Sequence, residues 1–198
     1  MGTKDVIGDF YKDNCCYLEL RTTPKNDGSM SPSEYFETIC TAVDKMSHEC
    51  GENMIVKLIV SIDRRRSVEE ASVAIRLAEE FKNHIVGIDL SGDPRVGDAR
   101  DFIPILRKAQ LGGWRLALHL GEVEGHQCET EMILQEVKPD RIGHGTFIKG
   151  SLADFVRKER IPLEICQTSN LSGQTAVSYK DHHVQDWYKM GHPLSICV

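Results

Sequence analysis

No C-x-x-C motif occurs in this chain, and its seven cysteines include an adjacent pair, Cys15-Cys16. An odd number at such spacings builds neither a disulfide framework nor a thiolate zinc site, so reduced, partly buried thiols are expected. No apolar run reaches the length needed to span a bilayer, which argues against a membrane protein. The N-terminal residues lack the apolar core of a secretory signal, and Val6 stands where a myristoylation site wants Ser or Thr. Basic clusters are scarce too. Arg64-Arg65-Arg66 is too short for a nucleic-acid surface in a chain of net charge −6, and reads as a solvated loop. No stretch rich in Pro, Gly or Ser divides the 198 residues, so one domain is expected. A cytosolic, monomeric protein that binds neither nucleic acid nor membrane fits these absences.

What the chain does contain is alternation. Apolar runs at 16–20, 56–62, 85–90, 115–120, 141–144, 162–167 and 193–197 read as strands. Several are continuous rather than alternating, as in parallel strands covered on both faces. Helical patterns lie between them. Ser31 and Glu34 form a capping box with Pro32 at the first turn, and Ser67 with Glu70 forms another. Asp93-Pro94 opens a third helix that Gly112-Gly113 can close, and further helices are expected near 129–137, 152–158 and 181–190. Repeated βα units imply a parallel sheet, open or closed. A (β/α)8 barrel needs eight strands and roughly 250 residues, so this chain is one unit short.

Almost every strand ends on polar residues. In order come Arg21-Thr22-Thr23-Pro24-Lys25, then Asp63-Arg64, then Asp89 with Ser91-Gly92-Asp93. His119 and Glu122 follow, then His144 between Gly143 and Gly145, then Glu164 with Thr168-Ser169-Asn170. Singly, His119 could be a core histidine, Glu122 a helix-start carboxylate, and Asp89 an arginine partner or a cap. His126 and His48 read as surface residues, and His182 and His183 as the solvated start of the last helix. His144 is less easily dismissed, because flanking glycines let a ligand approach its ring. Together His119, Glu122 and His144 favour metal-assisted hydrolysis, with histidine as zinc ligand and a nearby Glu moving protons. One histidine cannot hold zinc alone. A cofactor-free barrel lyase would need a strand-end lysine, for which Lys25, past a proline in a loop, is the only candidate.

The segments 118-LHLGE-122, 141-RIGHG-145, 87-GIDLSGD-93 and 168-TSN-170 resemble the adenosine deaminase superfamily. Those at 17-YLELRTTPK-25, 139-PDRIGHGTF-147, 161-IPLEICQTSN-170 and 182-HHVQDWY-188 are similar to its branch acting on N6-methyl-AMP. The resemblance implies a zinc-dependent (β/α)8 barrel of the metal-dependent hydrolase type over residues 1–198, deaminating a purine nucleotide. It places a zinc ligand on His119, the proton-shuttling carboxylate on Glu122, and the hydroxide-positioning histidine on His144. Gly92 would meet the purine through its backbone, Asp63 would contact substrate, and Thr22, Thr23, Pro24 and Lys25 would lie near the phosphate. Adenosine or AMP is the alternative substrate.

Two family features have no counterpart here. The His-x-His pair of the first barrel strand is missing, and the chain stops at Val198, where paired aspartates would begin. The expectation is therefore a barrel of about seven strands, lacking the first βα unit and the segment after the last strand. Such a chain would hold Zn2+ poorly and be weak or inactive, which leaves a non-catalytic isoform as the other reading.

Overall fold

The computed structural model describes residues 2–25 and 28–197; Met1 and Val198, at the two ends just discussed, lie outside them. Among the described residues strand order follows chain order through seven parallel strands, the sequence of a (β/α)8 barrel. The chain divides into two compact units, residues 1–63 with 69–89 and residues 64–68 with 90–198.

The first unit holds α1 (Gly2–Lys12), β1 (Tyr17–Thr22), α2 (Pro32–Cys50), β2 (Ile55–Asp63), most of α3 (Val68–Glu80) and most of β3 (Ile85–Ser91). The Ser31 capping box is present: the Ser31 hydroxyl accepts from Glu34 N at 3.3 Å, and Ser31 N donates to the Glu34 carboxylate at 2.8 Å. From that start Phe36, Ile39, Cys40, Val43 and Met46 recur at helical spacing and are all buried. In β2 every residue from Leu58 to Asp63 is buried, as expected of a strand covered on both faces. β1 pairs with β2 in parallel, Leu20 opposite Leu58 and Thr22 opposite Val60.

The second unit contains α4 (Ile103–Leu111), β4 (Arg115–Leu120), α5 (Gln127–Glu136), β5 (Arg141–His144) and α6 (Ser151–Glu159). β6 (Leu163–Ile165), α7 (Gln167–Ser172), α8 (Val184–Lys189) and β7 (Leu194–Ile196) complete it. β4, β5, β6 and β7 pair successively in parallel. Among the described residues the seven strands fall where the apolar runs predict, with ends shifted by no more than two residues.

Two expectations are corrected here. The third helix does not open at Asp93-Pro94; a short 3-10 turn, Ala99–Phe102, precedes α4. Asp93 is occupied locally, accepting from Arg95 N at 3.1 Å and Arg95 Nε at 2.9 Å. The carbonyls of Val96 and Gly97, which a helix would use internally, accept instead from Arg64 Nε and Nη2, both at 3.0 Å. Arg64 is thus no solvated loop residue. It is 6% exposed, and its guanidinium forms a two-pronged ion pair with Glu129 at 2.9 and 2.6 Å. Glu129 also accepts from Ala99 N at 2.9 Å, so one buried pair holds the loop after β3 from both sides. Gly97 lies against this arginine with φ +70°, where an added Cβ would come within 2.5 Å of Arg64 O.

Removing one partner of a buried pair strands the other charge, whereas removing both does not. Arg64→Met is therefore expected to cost about 3–5 kcal/mol. The Arg64→Met/Glu129→Met double variant should be more stable than Arg64→Met alone. Urea denaturation of the variants decides, and a double variant no more stable than the single overturns this account.

Candidate active site

In the second unit the site is built by register. β4 and β5 are parallel, with His119 opposite Gly143 and Leu120 opposite His144. Residues opposite one another share a face of the sheet. Gly143 therefore leaves the space beside the His119 ring open: a Cβ there would lie 3.5 Å from the ring's Cγ. One residue on, the chain turns. His144 has φ +65°, a conformation few side chains other than glycine adopt. Gly145 N donates both to Gly143 O and to Leu120 O, at 3.0 Å each. The bond from Gly145 back to Gly143 closes a three-residue γ-turn around His144 of the strained, positive-φ kind.

This turn brings the His144 ring to 5.2 Å from that of His119, the planes inclined at 50°. His144 Nε2 lies 3.6 Å from Glu122 Oε1. The three residues read together from the sequence are together in space: His144 buried, His119 and Glu122 half-buried. Glu122 is delivered by a tight turn at Gly121, whose φ is +61°. A Cβ on Gly121 would meet Ile148 Cγ1 at 2.7 Å, and Phe147 N donates to Gly121 O at 2.8 Å. Gly92 follows the end of β3 with φ +103°. Arg64 N donates to Ser91 O at 2.8 Å just before it.

Behind His144 the structure corrects a further reading. His182 and His183 are not on a solvated helix start. His182 is 2% exposed, and His183 is half-buried, immediately before α8. Burial pushes the imidazoles of both down, that of His183 to about 4. His183 Nε2 donates to the His144 carbonyl at 2.8 Å. His126 and His48 remain near or at the surface. Nothing in the HHV string announced this burial, because its partner is 39 residues away.

The first unit carries the other candidates at its own strand ends. Thr22 closes β1, and its hydroxyl bonds the Tyr35 hydroxyl at 2.7 Å. Thr23 and Pro24 are half-buried, and Lys25 is exposed. Asp63 is the buried last residue of β2. Asp89 is fully buried, accepting from the Ser61 hydroxyl at 3.1 Å and lying 3.2 Å from Arg21 Nε. Its sequence reading as an arginine partner, rather than a cap, is the one the structure bears out.

A side chain at position 121 must clash and must also adopt a left-handed backbone. Gly121→Ala should therefore lose about 1–3 kcal/mol of stability. It should also move Glu122 away from His144, as read from the Glu122 side-chain NMR signals. An alanine variant as stable as the parent in urea would refute the requirement.

The adenosine deaminase family pattern matches residues 3–198. The N6-methyl-AMP deaminase of Bos taurus is 44% identical over 210 residues, covering 100% of this chain and 59% of the bovine protein. The structure of arabidopsis ADAL complexed with GMP superposes with a TM-score of 0.91 at 38% identity, over 99% of this chain and 60% of that one. The same arabidopsis protein complexed with IMP gives 0.89 at 37% identity, over 98% and 59%. The chain thus spans about three-fifths of the length of these relatives. With seven sequential parallel strands and a family match running from residue 3 to residue 198, the chain belongs to the adenosine deaminase family.

Proposed function

We propose that these residues serve hydrolytic deamination of a purine nucleoside monophosphate, N6-methyl-AMP, giving IMP and methylamine. The observation that carries the reading is the 3.6 Å approach of His144 Nε2 to Glu122 Oε1 beside the His119 ring. A base and an acid so placed can act on one water and one heterocycle. Water adds to C6 of the purine while the Glu122 carboxyl supplies a proton to N1. His144, held on its turn, orients the attacking oxygen and offsets its charge. The water's proton passes to the Glu122 carboxylate and on to N6, the C6–N6 bond breaks to release methylamine, and the C6 hydroxyl proton returns to Glu122 as the C6 carbonyl forms. The relatives support the substrate class, one by its name and the other by its complexes with GMP and IMP.

The binding assignments follow from the resemblance. Gly92, with no side chain and a positive φ, lets the purine edge reach the backbone. Asp63 is assigned a substrate contact. Thr22, Thr23, Pro24 and Lys25 are assigned to the phosphate, with Lys25 acting as a point charge rather than a two-pronged clamp. Adenosine and AMP are the rival substrates.

The family's zinc would supply Lewis-acid activation of the water, and His119 is the one residue here assigned to it. Zinc sites need three or four protein ligands. Among the described residues no group of three or more His, Cys, Asp or Glu could hold a metal ion. Zinc therefore does not fit this residue set, and none of the steps above passes through it. That same observation favours a second reading, in which the 198-residue polypeptide binds nucleotide without turning it over.

Purified as 198 residues, the chain is expected to hold zinc well below one per chain by atomic emission, and to turn over N6-methyl-AMP slowly or not at all. Tightly bound zinc at one per chain would overturn the non-catalytic reading. In a polypeptide joining these residues to a complete ligand set, Glu122→Gln should lower kcat by about 10²–10⁴-fold. There N6-methyl-AMP should be consumed faster than AMP or adenosine, and equal rates on adenosine would sink the substrate assignment.

A further inference from the structure

His144 carries a conformational strain that something must maintain. Its φ of +65° and the bond from Gly145 back to Gly143 make a turn that a free peptide rarely forms. From the sheet side, Gly145 N is held by Leu120 O. The peptide plane between His144 and Gly145 has one other polar end, the His144 carbonyl, and it accepts from His183 Nε2 at 2.8 Å. A carbonyl only accepts, so Nε2 must carry the proton. His183 Nδ1 is then the bare nitrogen, buried with no partner among the described residues. Burial pushes the His183 imidazole down to about 4, which keeps it neutral near neutrality and leaves this tautomer in place.

The neighbouring histidine is fixed by the same logic. Val184 N donates to His182 Nδ1 at 3.1 Å, so Nδ1 is bare and Nε2 bears the proton. His182 Nε2 meets Asn170 Oδ1 at 3.1 Å. The Asn170 amide nitrogen donates to the hydroxyls of Thr146 and Thr175, both at 2.8 Å. The two imidazoles stack at 4.3 Å. Consecutive histidines thus reach neighbouring points of the chain, His183 the carbonyl of residue 144 and His182, through Asn170, the hydroxyl of Thr146 just past the turn.

We propose that His183 is a positioning residue for His144: its imidazole N–H holds the His144 carbonyl, and so keeps the left-handed turn that aims the His144 ring at Glu122. His182 and Asn170 hold the next stretch of chain, at Thr146. The functional weight of this clasp rests on the role given to His144 above, but its existence does not, and its test needs no turnover.

The test is NMR on the intact chain at neutral pH. Long-range imidazole spectra of the wild-type chain should show His183 as the Nε2-protonated tautomer; the Nδ1-protonated form would overturn the proposal whether or not any variant folds. In His183→Phe, which keeps a ring but loses the donor, the backbone shifts and the φ-sensitive amide coupling of His144 should leave their left-handed values. His183→Gln, which restores an N–H at a similar reach, should return them. Signals of Trp187 and His192, packed against each other at 4.7 Å, should stay in place throughout. An unmoved His144 in His183→Phe, or no rescue by His183→Gln, would also defeat the assignment. Loss of the deaminase reading in an activity assay would leave these NMR results standing.

Discussion

The parallel register of β4 on β5 is the constraint from which the rest of the site follows. It sets His119 against a glycine and His144 one step beyond it, at the point where the strand gives way to a turn. Were the register slipped by one residue, every side chain on β5 would change face and the two rings would separate. Register in turn is fixed by burial. Leu116, Leu118 and Leu120 of β4 and Ile142 of β5 are all buried, so their packing favours the observed pairing. The chemistry-bearing residues hold their places because their apolar neighbours pack in this register.

Such a site is narrow in its tolerances. Two of its three members are placed by backbones of positive φ: His144 on its own, and Glu122 by way of Gly121. Strain of this kind persists where surrounding structure over-determines the conformation. Here the determinants are separate. Ile148 crowds Gly121, the Leu120 carbonyl holds Gly145, and His183 holds the carbonyl between them. Each comes from a different stretch of chain, so the geometry depends on the fold of the second unit as a whole rather than on a local motif.

That dependence explains which features could be read from the sequence. The strands were legible because continuous apolar runs bounded by polar residues carry their own signal, and so was α2, with its capping box. The His119, Glu122 and His144 grouping was legible from strand-end position together with family resemblance. Arg64 was not. A run of three arginines reads as solvated, and partners 32 to 65 positions on, Glu129 among them, turn the first of them inward while the other two remain exposed. The start of α4 was misplaced for the same reason, since Asp93-Pro94 is a sound local signal that the distant arginine overrides by taking the Val96 and Gly97 carbonyls.

His182 and His183 fall on the same side of that line. A histidine pair before a short helix has no periodicity to mark it as buried, and burial of imidazole is tolerable only when its nitrogens find partners. The partners are a backbone carbonyl, an asparagine oxygen and the amide of Val184. All three bonds agree on one proton placement for each ring. A surface pair would be free to sample both tautomers and the charged form. This pair is confined to one, which makes it suited to holding a strained neighbour in place and unsuited to moving protons itself. The division is therefore physical: the half-buried Glu122 faces the His144 ring at 3.6 Å, while His183 behind it bonds the carbonyl of the strained turn that carries that ring.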